Sequence, residues 1–186
     1  MDVIDALRSR RSIGRLEGDV GDEEIRELVE LATLAPNHRM TEPWRFTVVR
    51  GAARERLGRV WSEIALRDLP LTGEARDAAA QRETAKPLRA PVLIVVSVRT
   101  DEDEVTATED FAACAAAVQN ILLGAAGRGL GAMWRTGDAA YAPEVKAFLG
   151  LDPSDRIVAF VYLGRSTAEP PAAKPRNAEA VTRWFD

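Results

Sequence analysis

The sequence predicts an α+β domain, one sheet with helices on both of its faces. Three observations carry that prediction. Apolar residues recur at helical spacing in several separate segments, the first being Val3, Ile4 and Leu7. Two short runs, 91–99 (PVLIVVSVR) and 156–163 (RIVAFVYL), are almost continuously apolar and rich in Val and Ile, as strands buried on both faces are. Between them, residues 110–128 form the longest helical segment. It is apolar nearly all round and built of small residues, which marks it as the core helix on which others pack.

The remaining elements follow in order. Residues 2–9 form the first helix and 22–34 the second. In the second, Ile25, Leu28, Val29 and Ala32 share a face, and Asp22, Glu23 and Glu24 complement the positive end of the helix dipole. Residues 45–50 (RFTVVR) read as a short strand. Residues 52–69 are helical, with Leu57, Val60, Trp61 and Ile64 on one side. Residues 70–90 are polar and Ala/Arg-rich, and are expected to be partly helical and mobile, either a lid or a solvated connection. Residues 130–135 are short and extended. Residues 143–149 form a helix stopped by Gly150. The tail carries Pro170, Pro171 and Pro175, forms no regular element and closes with Trp184 and Phe185. It reads as an arm that docks, or as a segment frayed into solvent. No repeat or linker divides the chain, so 1–186 reads as a single domain.

Composition excludes several functions. The chain has 186 residues, 46% hydrophobic and 29% charged, which is ordinary for a folded domain and unlike a disordered chain. A net charge of −4 argues against a general nucleic-acid binder. The opening MDVIDALRSRRS lacks an apolar signal region, and the longest apolar run, 111–118, is far shorter than a bilayer span. A cytoplasmic protein with no membrane association is the expectation. Cys114 is the single cysteine and His38 the single histidine, so neither an internal disulfide nor a Cys/His metal cluster is expected. Gly127, Gly129 and Gly131 follow a helix at the wrong spacing for the dinucleotide fingerprint. A phosphate-binding Walker loop, a nucleophile elbow and a triad are likewise missing from the sequence.

One bias remains. Lys86, Lys146 and Lys174 are the only lysines, which leaves 22 Arg among 25 basic residues. Arg offers forked, two-bond recognition of phosphate or carboxylate. Four local features are candidates for such chemistry. Arg10-Arg11-Ser12 directly follows the first helix; it can hold a phosphate, or simply cap the helix. Residues 35–39 (APNHR) and Pro43-Trp44 bracket a loop that presents polar groups on a rigid frame. Residues 129–137 (GLGAMWRTG) combine glycines, which let a flat ligand approach the backbone, with the donors Arg135 and Thr136. Arg165 follows a strand-end glycine and is a further phosphate candidate.

Taken together and in this order, these segments resemble the nitroreductase-like FMN-dependent family over residues 1–165. The likeness is to its short bacterial NAD(P)H nitroreductase branch, which has an RRS opening, a P-[DN]-H-[KR] loop and a WR[ST] segment. The resemblance implies an α+β flavoprotein sandwich with an antiparallel or mixed central sheet flanked by helices. It implies a homodimer with FMN at the interface and NADH or NADPH as electron donor. Residues 165–186 would be a C-terminal extension docking on the dimer partner. Arg10, Arg11 and Ser12 would hold the FMN phosphate and ribityl end. His38, Trp134, Arg135, Thr136 and Arg165 would also contact the cofactor. The stretch Gly124, Ala125, Ala126, Gly127, Arg128 and Gly129 falls where the branch meets the nicotinamide nucleotide; close packing of a core helix requires the same small residues.

The implied activity is a ping-pong transfer of hydride through flavin to a nitroaromatic, quinone or similar small acceptor, with no catalytic side chain and no metal. A flavin-storage or sensing protein without turnover is the alternative, as is an FMN enzyme of different reductive chemistry. The loop departs from the common family pattern in having Met40 at an Asn position and Glu42 at a Gln position.

Overall fold

The central strand owes its burial to its place in the sheet. In the computed structural model, which describes residues 2–166 and 170–185, β2 (Val92–Val98) is buried along its whole length. It pairs on one side with β1 (Trp44–Arg50) and on the other with β4 (Arg156–Gly164), which in turn pairs with β3 (Gly131–Arg135). The order is β1-β2-β4-β3, and every neighbouring pair is antiparallel, so the sheet is antiparallel throughout.

Side-chain alternation sends Ile94, Val96, Val98, Val161 and Leu163 to one face and Leu93, Val95, Phe160 and Tyr162 to the other. The first face packs on α2 (Asp22–Thr33) and α5 (Glu104–Gly127). The second packs on α3 (Ala52–Leu66) and α6 (Pro143–Leu149). The short α1 (Val3–Ser9) rests on α5. This is the sandwich of helices and antiparallel sheet that the sequence predicts.

Two segments differ from expectation. Residues 70–90 are partly helical as expected, and largely exposed, but they are ordered against the domain: α4 (Gly73–Thr84) packs along α3, and a 3-10 turn (Lys86–Arg89) leads into β2. Among the residues of α4 only Ala79 is buried, so the helix shows no apolar stripe in the sequence. Its contact with α3 is made by backbone. A Cβ at Gly58 would stand 2.2 Å from the Thr84 carbonyl oxygen, so glycine is what lets the two helices approach.

The long helix α5 starts earlier than its apolar pattern suggests. The Asp103 carboxylate accepts the Thr106 N–H at 2.8 Å and caps a polar first turn. Its 24 residues are long and apolar enough to cross a bilayer, which the sequence reading did not anticipate. Here it is a core helix, packed against α1, α2 and the sheet. Cys114 lies within it and is fully buried. Burial, then the nearby Asp110, pushes its thiol up to about 12, so it behaves as a small hydrophobe.

One side of α5 has no cover in the single chain. Val105 and Ala112 are exposed, and Ala116, Gln119, Leu123 and Ala126 are half-buried along the same stripe. Val3, Ile4 and Leu7 of α1 extend this apolar surface. The tail, residues 170–185, is exposed; it contains one 3-10 turn (Glu179–Val181), where no regular element was expected, and ends in exposed Trp184 and Phe185.

Gly58→Ala should therefore destabilise the fold by about 2 kcal/mol through overpacking, lowering the thermal midpoint by roughly 4–8 °C. Calorimetry checks this, and an unchanged midpoint would refute the close α3–α4 contact.

Candidate functional site

The segment joining α1 to α2 lies along the outer edge of β3. The Ile13 N–H donates to the Ala132 carbonyl at 3.2 Å, and Ser12 bridges Ala132 in parallel. The Leu16 N–H donates to the Arg89 carbonyl at 2.7 Å, and Glu17 and Arg165 exchange backbone bonds of 3.0 and 2.7 Å. Two glycines admit this segment. A Cβ on Gly131 would meet Leu16 Cδ2 at 2.3 Å, and one on Gly164 would meet Leu16 Cβ at 2.9 Å.

The consequence is a convergence of cations from three separate stretches of sequence. Arg10 and Arg11 line a cavity of about 220 Å³ with Ala126, Gly129 and Gly131. Arg15, Arg89 and Arg135 line a second, of about 540 Å³, beside Gly14 and Leu88. Arg135 and Thr136 also line a third, of about 480 Å³, with Lys86, Trp61 and Tyr162. The carboxylates on these three cavities are Glu83 and Asp138. Six cations against two carboxylates, in a chain of net charge −4, make this edge a local attractor for an anion.

The cations differ in how far they are already engaged. Arg11 donates to the carbonyls of Arg8 and Arg10, each at 2.8 Å, and to that of Pro171 at 3.2 Å, so it caps α1 and holds the tail. The Arg10 guanidinium has no hydrogen bond or ion pair among the described residues. Arg15 meets Glu17 at 3.5 Å in a largely exposed pair, which is worth little. Lys86 pairs with Glu83. Arg135 sits 5.5 Å above the Tyr162 ring, its Nε donating weakly to Met133 Sδ.

The other residues singled out in the sequence are placed as follows. Ser12 and Thr136 are exposed near the cavities. Trp134 projects toward the α5 face and its indole N–H donates to the Val158 carbonyl at 3.1 Å. Arg165 lines none of the three cavities; it reaches Glu24 on α2, at 3.1 and 3.3 Å. In the stretch 124–129, Gly124 packs against Leu28 and Leu31 of α2, and Ala125 is fully buried. Arg128 pairs with Glu27, and Ala126 and Gly129 reach the Arg10 cavity.

His38 lies apart from this group. It borders a cavity of about 360 Å³ against Glu109, Ala112 and Ala116, its Nδ1 3.9 Å from Glu109. Positions 112–116 and 122–126 of α5 are separated by roughly 15 Å along the helix, so one chain does not bring His38 to the Arg10 cavity. The loop that carries it is strained: Arg39, Met40 and Glu42 have φ of 53°, 54° and 44°. It is held by the Glu42 N–H donating to Asn37 Oδ1 at 3.1 Å and by the Thr41 hydroxyl bonding to Asp110. Met40 is 79% exposed.

Arg15, Trp61, Lys86 and Arg89 of this surface were not singled out as site residues in the sequence, whereas Tyr162 stood in the strand-end segment 162–165. Lys86 carried the one usable signal, as one of three lysines just ahead of the central strand.

The comparisons with known proteins agree on a family. The Nitroreductase family model matches residues 7–165. "Putative NAD(P)H nitroreductase YdjA" of Escherichia coli K12 is 31% identical over 166 residues, 88% of each chain. "Putative NAD(P)H nitroreductase YfhC" of Bacillus subtilis is 31% identical over 91% of this chain and 87% of its own. Among solved structures, a nitroreductase-like family protein from Bacillus cereus superposes with a TM-score of 0.86 at 28% identity, covering 100% of this chain and 97% of that one. A structure described as a putative nitroreductase in complex with FMN, from Desulfovibrio desulfuricans, has a TM-score of 0.74 at 26% identity, with coverage of 99% and 98%.

The Glu24 carboxyl is held below its usual value, chiefly by the Gly21 N–H and then by Arg165. A lowered folded-state pKa contributes stability that is present above the unfolded value and is lost as pH falls through the folded one. Arg165→Ala should move the Glu24 midpoint upward, though not the whole way, because the Gly21 bond remains. NMR titration of the carboxyl carbon reads this, and an unmoved midpoint would exclude the pair.

Proposed function

The chain belongs to the nitroreductase family, and from that premise we propose that it is an FMN-dependent NAD(P)H oxidoreductase. It passes electrons by a ping-pong hydride mechanism to a nitroaromatic, quinone or similar small acceptor. The observation that carries this reading is the convergence of Arg10, Arg11, Arg15, Lys86, Arg89 and Arg135 along the edge of β3. A phosphate ester with an electron-rich ring matches that donor set, and no nucleophile or metal is called for.

FMN, when bound, supplies hydride acceptance from NADH or NADPH and hydride donation to the second substrate. The chain's own residues bind and orient. Arg10, Arg11 and Ser12 hold the phosphate with charge-assisted bonds. Gly129, at φ +70° with open space where a Cβ would stand, lets the backbone approach the ligand. Arg135 and Thr136, with Lys86 beside them, would hold the ring end of the group. Trp134 contributes ring and backbone, since its indole donor is already spent on Val158. Arg165 joins the phosphate only by exchanging Glu24 for it. Ala126, Gly127, Arg128 and Gly129 carry the part of the 124–129 stretch open to a nicotinamide nucleotide, with Gly124 and Ala125 behind them.

The protein works as a soluble, cytoplasmic homodimer. The support is geometric. A two-fold axis placed across α5 at Gln119 would pair position 112 with 126 and 116 with 122. That sets the His38 cavity of one protomer, bordered by Ala112 and Ala116, against the Arg10 cavity of its partner, bordered by Leu122 and Ala126. The uncovered stripe of α5 is then the interface, and the strained His38 loop completes the partner's site. The described tail, residues 170–185, would then serve as the docking arm, ending in exposed Trp184 and Phe185.

Purified protein incubated with FMN should be yellow and should bleach on adding NADH or NADPH without oxygen; a protein that stays colourless would refute the reading. Arg10→Ala should weaken FMN binding tenfold or more, by roughly the worth of one charged hydrogen bond, as measured by fluorescence titration.

Ala116→Arg should dissociate the dimer in sedimentation velocity and weaken FMN binding with it. A variant that stays dimeric would place the interface elsewhere.

A further inference from the structure

A buried carboxyl group stands behind the His38 loop, and the chemistry described so far does not use it. Asp110, on α5, is 4% exposed, and Asp155 is the one other carboxylate so deeply buried among the described residues. Burying such a group is costly unless it is hydrogen-bonded. The partner of Asp110 is the Thr41 hydroxyl, which donates to its Oδ1 at 2.5 Å across 69 residues of sequence.

Thr41 sits inside the strained stretch of backbone. Arg39 and Met40 before it and Glu42 after it are all left-handed, whereas Thr41 itself has φ −66° and ψ −24°. A run of this kind persists only where its surroundings over-determine it. Two of the contacts that do so are local and exposed: the Glu42 N–H donates to Asn37 Oδ1 at 3.1 Å, and the Glu42 carbonyl accepts from Arg45 Nη1 at 3.3 Å. Among the described residues, the Thr41–Asp110 bond is the one hydrogen bond that ties residues 37–42 to the core helix.

That bond also sets the place of His38. Glu109 and Asp110 are adjacent on α5, so seating Thr41 on Asp110 brings His38 Nδ1 to 3.9 Å from Glu109, on the rim of the cavity with Ala112 and Ala116. At that distance the Glu109 contact is too long to be a hydrogen bond, and the exposed ring makes none to any described residue. The ring is therefore placed by its backbone, and the backbone by Asp110.

We propose that Asp110 is a positioning residue of the cofactor site. Through the Thr41 hydroxyl it holds the loop in its left-handed form, and so fixes where His38 meets a flavin nucleotide bound between two copies of the chain. It touches no reacting atom. This role rests on the oxidoreductase reading, whereas the clamp rests on the buried bond.

The test uses Thr41 variants of the full chain and two measurements. One is the ¹³C-labelled imidazole signal of His38, which needs no assignment because His38 is the single histidine. The other is FMN affinity by fluorescence titration. Thr41→Val should shift and broaden the imidazole signal in flavin-free protein and weaken FMN about tenfold. Thr41→Ser, which keeps the hydroxyl, should restore both. Asp110→Asn should weaken FMN in the wild-type chain and add nothing in Thr41→Val, because the two groups act as one. An imidazole signal that stays still, or additive effects of the two substitutions, overturns the proposal. So does a Thr41→Val protein that loses thermal stability while keeping its affinity, the behaviour of an ordinary structural bond. A wild-type chain that binds no FMN refutes the oxidoreductase reading and this role with it, whereas a normal affinity indifferent to Thr41→Val refutes this role alone.

Discussion

The site depends on one steric constraint, the seating of Leu16 on the glycines at the ends of two strands. Gly131 and Gly164 face each other across the β3–β4 pair. With side chains at either position, Leu16 would be displaced, since the closest approaches would fall to 2.3 and 2.9 Å. Its seating fixes the two backbone links on either side, Ile13 to Ala132 and Glu17 to Arg165. Those links carry Arg10, Arg11 and Ser12 to one flank of β3 and Arg15 to the other. The Leu16 N–H bond to the Arg89 carbonyl ties in the turn that bears Lys86 and Arg89. A small apolar contact thus determines where six cations end up.

That arrangement explains how an acidic chain presents a basic edge. Carboxylates outnumber cations overall, 29 to 25. Several of them neutralise arginines elsewhere: Asp22 takes Arg50, Glu144 takes Arg67, Glu27 takes Arg128 and Glu24 takes Arg165. Each such pair adds little stability where it is exposed. Arg10, Arg11, Arg89 and Arg135, which border the cavities, have no carboxylate partner among the described residues. Charge distribution rather than charge total is what an anionic ligand meets.

Most of the fold was legible because its elements declare themselves locally. The Val-rich run at 91–99 and the helix at 143–149 need no tertiary information, and Gly150 at φ +69° ends the latter as a left-handed cap. For residues 70–90 a helical part was legible but its bounds and its seat on α3 were not, because α4 buries one alanine and approaches α3 closely at Gly58. The early start of α5 was hidden by a polar first turn that only a cap reveals. Of the candidate site, the motif residues Arg10, Arg11, Arg135 and Thr136 do border the cavities. Arg15, Lys86, Arg89 and Trp61 did not show, because their meeting depends on contacts across up to 147 residues of sequence, Arg15 to Tyr162. Trp61 reads as one more apolar residue of α3 until its indole nitrogen is found unpaired.

The backbone strain is concentrated in one loop, whereas the unpaired buried polar atoms are spread over the core. Three non-glycine residues in left-handed backbone sit in one five-residue loop around His38, and such strain costs of order 1–3 kcal/mol per residue. Among the described residues Arg54 Nε, Trp61 Nε1, Ser97 Oγ, Asp155 Oδ1 and Tyr162 Oη are buried without a partner, each costing about 1–3 kcal/mol. Against a net stability of about 5–15 kcal/mol for a domain, these are large sums, and the sheet core must carry them. Its burial is correspondingly complete, with β2 and most of β4 closed to solvent on both faces. A fold under selection for stability alone would relax the loop. That it keeps the strain beside a cavity, on a fully buried sheet, is what a binding site built on a rigid scaffold requires.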